Sequence, residues 1–396
     1  MTVELQLLAL RHAMHPLAWF DKARCLSAAQ RARALCGRVD DPVARAKADM
    51  DCGFIRVWWN GWDATTAEVC RNALHTIRAT GDQHTFVVHL TDYSYVQWAG
   101  SEYRDGLATA ERALPLLVEA GDIVRYLDAQ LFRCRHLIFL GEWGTALAAI
   151  DEAADLAAKN GHVRRAHTLR LTRAWLSWHA QAPEPALIAC KTALNDLAGM
   201  AAAAGVQVAH VLSGVCHVLA KNYQTAADHL ANAQRLMDTD PVCWDWFWRL
   251  QLDWAWTELR LALGDLGEAR RAADRLLQSS LNAGEKTWQA LGWNNAVTVS
   301  LAEGSTARAE REVHAALSIV EEREVPLARW RVLATAAHIC AANGDATRTA
   351  ELRAATHYAV SQLAQSMKEG EPVRSAFLSS PAVTYSLRAE SSAPVI

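Results

Sequence analysis

The chain has 396 residues, of which 51% are hydrophobic and 21% are charged, and its formal net charge at pH 7 is -3. This apolar content supports a continuous core and excludes a disordered chain. The near balance of 40 basic and 43 acidic residues provides no overall field that would attract nucleic acid or an anionic membrane surface. We therefore expect neither nucleic acid nor a membrane as a partner.

Nine cysteines are scattered along the chain without a Cys-x-x-Cys pair. Most of them stand beside apolar residues, which is typical of small core side chains in a reduced compartment. The N-terminal sequence lacks the basic flank and apolar run of a signal peptide, and no stretch approaches the ~20 apolar residues of a membrane span. These features predict a cytoplasmic protein.

The first element, residues 1–41, is predicted to be a pair of N-terminal capping helices, broken at Pro16. The repeat pattern that follows does not extend into this segment. A terminal unit of a repeat array needs such a cover, because a neighbouring unit buries only one of its faces.

Residues 42–367 carry a pattern that returns every 40 residues. Turn positions stand 40 apart, with one step of 43, at Gly61, Ser101, Gly141, Gln181, Lys221, Gly264, Gly304 and Gly344. Five residues after each, in most cases, comes a small side chain: Thr66, Gly106, Ala146, Ala186, Ala226, Ala269, Ala309 and Thr349. Small side chains recur where two helices approach closely, so each unit is predicted to be a helical hairpin stacked on its neighbours. The pattern predicts an all-α fold, a right-handed α-solenoid of about eight hairpins plus terminal caps.

The spacing of apolar residues places two helices in each unit. The first helices are predicted near 42–60, 83–99, 122–140, 162–180, 205–220, 241–263, 285–303 and 326–343. Their partners are predicted near 62–79, 102–119, 142–159, 183–202, 222–238, 265–282, 305–322 and 345–367.

The last segment, residues 368–396, loses the repeat and is predicted to be a C-terminal cap followed by a mobile tail. Phe377, Leu378, Val383 and Leu387 are expected to fold back over the last hairpin, because the end of a repeat array needs a cover. The Ser- and Pro-containing residues 389–394 are expected to be mobile.

Two of the turns resemble the hairpin turn of tetratricopeptide repeats: Gly141-Glu142-Trp143-Gly144-Thr145-Ala146 and Gly264-Asp265-Leu266-Gly267-Glu268-Ala269. The usual unit of that family has 34 residues, whereas this one has 40. The longer unit resembles the helical sensor arm of large ATP-dependent bacterial transcription regulators of the maltose-activator type, and of related predicted-ATPase regulators. The resemblance covers about residues 42–367 and implies a superhelix that acts through another protein.

Catalytic signatures are missing from the sequence. It contains no His-Glu-x-x-His, Gly-x-Ser-x-Gly or Gly-x-Gly-x-x-Gly pattern, and no nucleophile stands at a readable spacing from a base. His210 and His217 are seven residues apart on one predicted helix, ~10 Å along its axis, which is too far for two ligands of one ion. We therefore predict no catalytic residue, no metal, no cofactor and no enzyme activity.

One periodic position of the first helices varies in chemistry, as a ligand-facing position would. It is occupied by Ile55, Tyr95, Arg135, Trp175, Val215, Glu258, Thr298 and His338. In tetratricopeptide arrays the corresponding face lines the inner groove. Tyr95 and Trp175 are predicted to stack against a ligand and Arg135 to bind its carboxylate. Trp98 and Trp178 would lie one turn deeper, or alternatively belong to a core layer, because their position is apolar in every repeat.

A second aromatic cluster coincides with the three-residue insertion between the fifth and sixth repeats. It consists of Trp244, Trp246, Phe247, Trp248, Trp254 and Trp256. Helical spacing spreads the first four rings around most of the helix, so part of this surface is expected to face a groove or a partner. The alternative is that the rings plug a kink in the stack.

Seven arginines concentrate in the third and fourth repeats: Arg125, Arg133, Arg135, Arg164, Arg165, Arg170 and Arg173. They favour an anionic ligand or an acidic peptide. The alternative is pairing with nearby acidic residues such as Asp122, Asp128, Glu142 and Asp151.

These patterns predict a non-enzymatic module that binds a protein or peptide, as a scaffold or as a regulatory sensor arm acting through a partner protein. The alternative function is an enzyme, or the regulatory subunit of one, that binds a small anionic molecule in the groove of the solenoid.

Overall fold

A computed structural model of the chain describes residues 2–18, 21–200 and 202–387. These residues form twenty α-helices and no β-strand. The helices are α1 Val3–Ala18, α2 Lys22–Cys36, α3 Pro42–Asn60, α4 Ala64–Ala79, α5 Gln83–Ala99, α6 Tyr103–Glu119, α7 Ile123–Phe139, α8 Trp143–Lys159, α9 Val163–His179, α10 Pro183–Asp196, α11 Ala203–Leu219, α12 Tyr223–Thr239, α13 Asp245–Ala262, α14 Leu266–Ala283, α15 Lys286–Ala302, α16 Thr306–Glu322, α17 Pro326–Ala342, α18 Ala346–Gln365, α19 Pro372–Ser379 and α20 Pro381–Leu387.

Local capping chemistry explains where many of these helices begin. Asp82, Asp122 and Asp345 each precede a helix, and each side chain accepts a hydrogen bond from the backbone N–H three residues later. Such a cap satisfies one of the four N–H groups that a helix start leaves unpaired. The positions at which these helices begin are therefore determined by residues close to them in the sequence.

Consecutive helices pack as antiparallel hairpins, and the predicted small positions lie where the helices touch. Ala146, Ala186, Ala226, Ala269 and Ala309 are all completely buried. The predicted all-α, right-handed, tetratricopeptide-like solenoid is confirmed.

Three predicted helix limits differ clearly from the structure. The helix expected over 241–263 begins at Asp245. The helix expected over 183–202 ends at Asp196, because Gly199 adopts a left-handed φ of 76° that a right-handed helix does not accommodate. At the N-terminus, α1 continues past Pro16 and ends at Ala18.

Repeats that are about five units apart along the chain contact each other. The backbone N–H of Trp62 donates to the carbonyl of Ala283 (2.9 Å), and the N–H of Trp143 donates to Ser366 Oγ (3.1 Å) across 223 positions of sequence. The hydroxyl of Ser101 donates to Glu285 across 184 positions. Repeats six to eight therefore pack against the edges of repeats one to four as a second superhelical turn.

The C-terminal residues fold back over the solenoid. Phe377 and Val383 are fully buried, whereas Leu378 remains 37% exposed. The Phe377 ring lies against Trp330 of the last hairpin and against Trp143 of the third repeat, at 6.0 and 5.1 Å between ring centroids. This segment thus contacts both superhelical turns. The tail predicted to be mobile, residues 389–394, lies outside the described residues.

All nine cysteines are free thiols, and eight of them are buried. Among the described helices, none combines the length and the apolar character that crossing a bilayer requires.

Candidate functional site

The two aromatic clusters predicted from the sequence meet in the centre of the first superhelical turn. The first turn of α13 inserts between α5, α7 and α9, and its Phe247 ring lies 4.8 Å from Trp98 and 5.6 Å from Trp175. Further along α13, Trp254 lies 5.2 Å from Trp178. We call the rings and the arginine that meet here the central cluster: Tyr95, Trp98, Arg135, Trp175, Trp178, Trp244, Trp246, Phe247 and Trp248.

The side chains of the central cluster pack against one another. This corrects the expectation that Tyr95, Arg135 and Trp175 line an open groove. Tyr95 and Trp98 have no exposed surface, and Trp175 and Trp178 are 2% exposed. The surface expected for the second cluster is covered in part: the exposed fractions of Trp244, Phe247 and Trp248 are 5%, 1% and 6%, whereas Trp246, Trp254 and Trp256 are half-buried. Repeats two to four form one side of this cluster and the sixth repeat forms the other. The surface predicted on each side is therefore covered by the other side.

Trp244 lies outside the helix, which the periodicity could not indicate. It precedes α13 with a left-handed backbone, φ 73°, a conformation that is strained for a bulky side chain. Its N–H donates to the carbonyl of Trp58 (3.0 Å). The ring is thereby placed against the inner faces of α3 and α7.

Arg135 lies in the central cluster without an ion pair among the described residues. Its guanidinium carbon is 4.3 Å from the centre of the Trp244 ring and 5.0 Å from that of Trp98. The side chain is 3% exposed, and Nη1 has no hydrogen-bond partner in the described structure. Desolvation lowers the pKa of Arg135 to about 10. A buried cation held mainly by aromatic faces is a strong site for an incoming anion.

A pocket of about 360 Å³ lies directly beside Trp244, among the first helices of repeats one to four. Apolar side chains form much of it, including Phe54, Trp58, Phe132 and Trp244. Charged side chains contribute the rest of the wall: Asp92, Arg125, Asp128, Arg164 and Arg165. A few charged groups above an aromatic floor are typical of a ligand pocket.

The charged wall is organised into ion pairs between neighbouring repeats. Arg125 Nη1 lies 3.0 Å from Asp92 Oδ1, and Arg165 Nε lies 2.8 Å from Asp128 Oδ1. Both arginines keep more than a fifth of their side-chain surface exposed. The predicted pairing with an acidic residue is present at Asp128, and the paired arginines also line the pocket.

A second, small cavity of about 30 Å³ continues behind Trp244 and reaches Arg135. Thr168 and Gly205 line both spaces. Trp244 lines both spaces, and Arg135 lines only the smaller one.

The pocket residues lie on the predicted helix face, nearer the N-terminal ends of the helices. The sequence analysis named the pocket arginines and Asp128 only as part of the arginine concentration and its acidic partners, and it missed Phe132 and Thr168. Counting back from Arg135, Phe132, Asp128 and Arg125 stand 3, 7 and 10 positions earlier. Thr168 and Arg165 stand 7 and 10 positions before Trp175. These offsets keep a side chain on one face of a helix, so following the face for three turns could have identified them.

Asp245, the first residue of α13, is a buried carboxylate with an unusual environment. It is 6% exposed, and neither carboxylate oxygen has a hydrogen-bond partner among the described residues. Burial raises its pKa to about 7, with Arg249 partly opposing the shift. Between about pH 4 and pH 7, therefore, the carboxyl of Asp245 is protonated in the native protein and ionised in the unfolded chain.

We expect Asp245→Asn to stabilise the protein at pH 8 and to have little effect near pH 4. Below pH 4 the carboxyl is protonated in both states, so its burial costs little. Between about pH 4 and pH 7 the unfolded chain releases this proton while the folded protein keeps it, so wild type progressively loses stability that the amide keeps, and the loss is complete above the folded pKa. The difference in unfolding free energy should grow by on the order of 1–3 kcal/mol.

Urea denaturation of wild type and Asp245→Asn between pH 4 and 8 checks this prediction. Asp238→Asn is the matched control, since Asp238 also lies beside Arg249 (2.9 Å) but is 53% exposed. A constant difference between wild type and Asp245→Asn across this range would contradict the prediction.

No protein-family model matches the chain, and no curated protein matches it by sequence. Solved structures do match its fold. One is a Rap protein complexed with competence and sporulation factor, with a TM-score of 0.65 and 12% identity over 91% of this chain and 99% of that one. Another is NprR in complex with its cognate peptide NprX, with a TM-score of 0.61, 12% identity and the same coverage. A third is the Rap conjugation gene regulator of plasmid pLS20 in complex with the Phr* peptide, with a TM-score of 0.59 and 12% identity over 93% and 98% of the two chains. The chain is thus similar in fold, over nearly its whole length, to regulators built as tetratricopeptide-like superhelices.

Proposed function

We propose that the protein is a non-enzymatic regulator that binds a short peptide in the concave pocket and transmits binding to a partner protein. The observation that carries this proposal is the pocket beside Trp244, with its aromatic floor and its wall of ion pairs. Apolar side chains of a peptide would pack on Phe132 and Trp244, and its polar backbone would meet the charged wall.

The ligand is proposed to carry a carboxylate, either an acidic side chain or the C-terminus of the peptide. Arg125, Arg164 and Arg165 lie at the pocket, and Arg135 lies behind Trp244 with a hydrogen-bond donor unused. A carboxylate that reached Arg135 would form a charge-assisted hydrogen bond in a desolvated place, where such bonds are strong.

Movement of Trp244 would couple the ligand to the shape of the superhelix. Trp244, which directly precedes α13, donates its backbone N–H to Trp58 of the first repeat, so its displacement would remove this contact between the two superhelical turns. The strained backbone at Trp244 reduces the cost of leaving this position. Two of the structurally similar proteins were solved with a peptide bound, which supports a peptide as the ligand.

The proposal is tested by affinity selection from a library of short synthetic peptides of random sequence, read by mass spectrometry. Wild type should retain a set of related peptides that carry an acidic group. Thr168→Trp, which fills the pocket from its wall, should reduce capture at least about tenfold. Thr192→Trp should bind like wild type: it lies on the exposed face of α10, and its hydroxyl, like that of Thr168, donates to the carbonyl four residues earlier.

Failure of wild type to retain any peptide, or equal capture by the two tryptophan variants, would overturn the proposal. The alternative ligand is a small anion, which the pocket arginines and a volume near the lower end of the usual range of about 300–1,000 Å³ favour. Mass spectrometry of small molecules that co-purify with wild type, and are lost in Thr168→Trp, would identify that case.

For a peptide recovered by wild type, we expect Arg135→Met to weaken binding by about 1.5–3 kcal/mol, the value of a charge-assisted hydrogen bond. The same substitution should leave the unfolding free energy unchanged or raise it, because methionine replaces a desolvated cation that has no carboxylate partner. Calorimetric titration and urea denaturation measure the two effects.

Arg173→Met is the control for Arg135→Met, since Arg173 pairs with Asp151 (2.9 Å) and is 32% exposed. Its affinity for the peptide should equal that of wild type. Unchanged affinity in Arg135→Met would remove this residue from the proposed site.

A further inference from the structure

We propose that Asp51, His89 and Asp92 form a binding site for a divalent transition-metal ion such as Zn²⁺. One ligand atom from each residue lies within 4.8 Å of the other two. Asp51 comes from α3, whereas His89 and Asp92 are one turn apart on α5. All three are nine-tenths or more buried, with exposed fractions of 4%, 3% and 0%.

The imidazole of His89 indicates that this group is more than a cluster of acids. Its Nδ1 is buried and has no hydrogen-bond partner among the described residues. It lies 3.6 Å from Asp51 Oδ1 and 3.8 Å from Asp92 Oδ2, which is beyond hydrogen-bonding distance. With metal–ligand bonds of about 2.1 Å, the ligand atoms of a tetrahedral ion lie about 3.4 Å apart. Around an ion, the two distances from His89 would therefore contract by only a few tenths of an ångström, and the distance between the two carboxylate oxygens, which is within 4.8 Å, could contract by more.

Two arginines position the carboxylates for this role. Arg11 Nε holds Asp51 Oδ2 at 2.5 Å, and Arg125 Nη1 holds Asp92 Oδ1 at 3.0 Å. Each aspartate thus uses one oxygen for an arginine and turns the other oxygen towards His89. Groups that hydrogen-bond a metal ligand in this way fix its orientation.

The arginines also set the expected strength of binding. Two carboxylates, two guanidinium groups and one neutral imidazole sum to zero charge, so the ion is bound less tightly than by the same ligands without the arginines. Carboxylate and imidazole ligands suit Zn²⁺ and Co²⁺. Three protein ligands leave a fourth coordination position for water or a ligand group, and Asp92 is also part of the pocket wall.

The experiment uses the untagged full chain, stripped of metal with a chelator and titrated with Co²⁺. Wild type should show the intense visible absorption of tetrahedral cobalt, saturating at one equivalent and abolished by Zn²⁺. Its Tm should rise with Zn²⁺ over the same range, since an ion that binds only the folded state stabilises it. His89→Gln and Asp51→Asn should each lose the absorption and the Tm shift.

Two further variants separate this site from other possibilities. His210 and His229 form a half-buried pair, with 3.0 Å between their Nδ1 atoms, and could bind metal by themselves; in His229→Asn the cobalt absorption should persist. Arg11→Gln should tighten Co²⁺ binding by about tenfold, because the amide keeps an N–H donor to orient Asp51 but removes a positive charge next to the ion. A purely structural Asp51 would not produce this change.

The proposal is overturned if wild type shows no cobalt absorption, or if a folded His89→Gln or Asp51→Asn variant retains it. If only His229→Asn loses the absorption, the metal binds at the His210–His229 pair, and the proposal is likewise overturned. If His89→Gln does not fold, Asp51→Asn and Arg11→Gln decide the question.

Discussion

Gly144→Ala should destabilise the protein by about 3 kcal/mol, the upper end of the usual cost of overpacking. A Cβ at Gly144 would lie 2.1 Å from the backbone oxygen of Ser366 and 3.1 Å from the Cα of Met367. These atoms belong to the C-terminal end of the solenoid, which cannot yield as a flexible side chain could. The methyl group would push the two superhelical turns apart.

Gly267→Ala provides the matched comparison, because Gly267 occupies the equivalent place in the turn of the sixth repeat. The nearest atom to a Cβ there is Asp265 Oδ1 at 4.0 Å. Replacing a helical glycine in open space should stabilise the protein by about 0.5–1 kcal/mol. Urea denaturation of both variants tests the pair, and equal stabilities would show that the third repeat does not pack against the C-terminal segment.

Glu285→Ala should cost about 3–5 kcal/mol, since it removes the acceptor at the centre of a buried polar contact between the turns. The Glu285 side chain caps α15 by accepting from the N–H groups of Thr287 (3.1 Å) and Trp288 (2.7 Å). It also accepts from the hydroxyls of Ser101 (3.1 Å) and Tyr103 in the second repeat. Burial raises the pKa of Glu285, and the hydrogen bonds that it accepts oppose this shift.

Asp265→Ala is the control for Glu285→Ala, because Asp265 caps α14 through the N–H of Glu268 (3.2 Å) but is 43% exposed. Loss of this cap alone should cost about 1 kcal/mol. Small-angle scattering should show an increased radius of gyration for Glu285→Ala only. If the two variants lose the same stability, the contact between turns contributes nothing beyond helix capping.

The repeats were predictable because their determinants are local. The turn positions such as Gly141 and Gly264, and the small residues such as Ala146 and Ala269, recur at a fixed spacing, and each helical hairpin forms from residues fewer than 40 apart. Periodicity and capping report interactions of this range directly. The solenoid and most of its helix positions therefore followed from the sequence. The exceptions include α10, where Gly199 ends the helix early, and α13, which begins after Trp244.

The candidate site was predictable only in part. The sequence identified the inner face of repeats two to four and the aromatic insertion near Trp244, and the structure brings both to one place. It did not indicate that these residues cover each other, since Tyr95 and Trp244 are 149 positions apart. The open pocket consequently lies nearer the N-terminal ends of the helices, at Asp128 and Thr168.

The sequence by itself determined the helices, their pairing into hairpins and the face that points inward. The tertiary structure decided which parts of that face remain open, through contacts such as Trp58 with Trp244 and Ser101 with Glu285. The physical reason is that a small rotation between neighbouring repeats accumulates along a solenoid. Whether the sixth repeat meets the first depends on the sum of these rotations, which no local pattern in the sequence encodes.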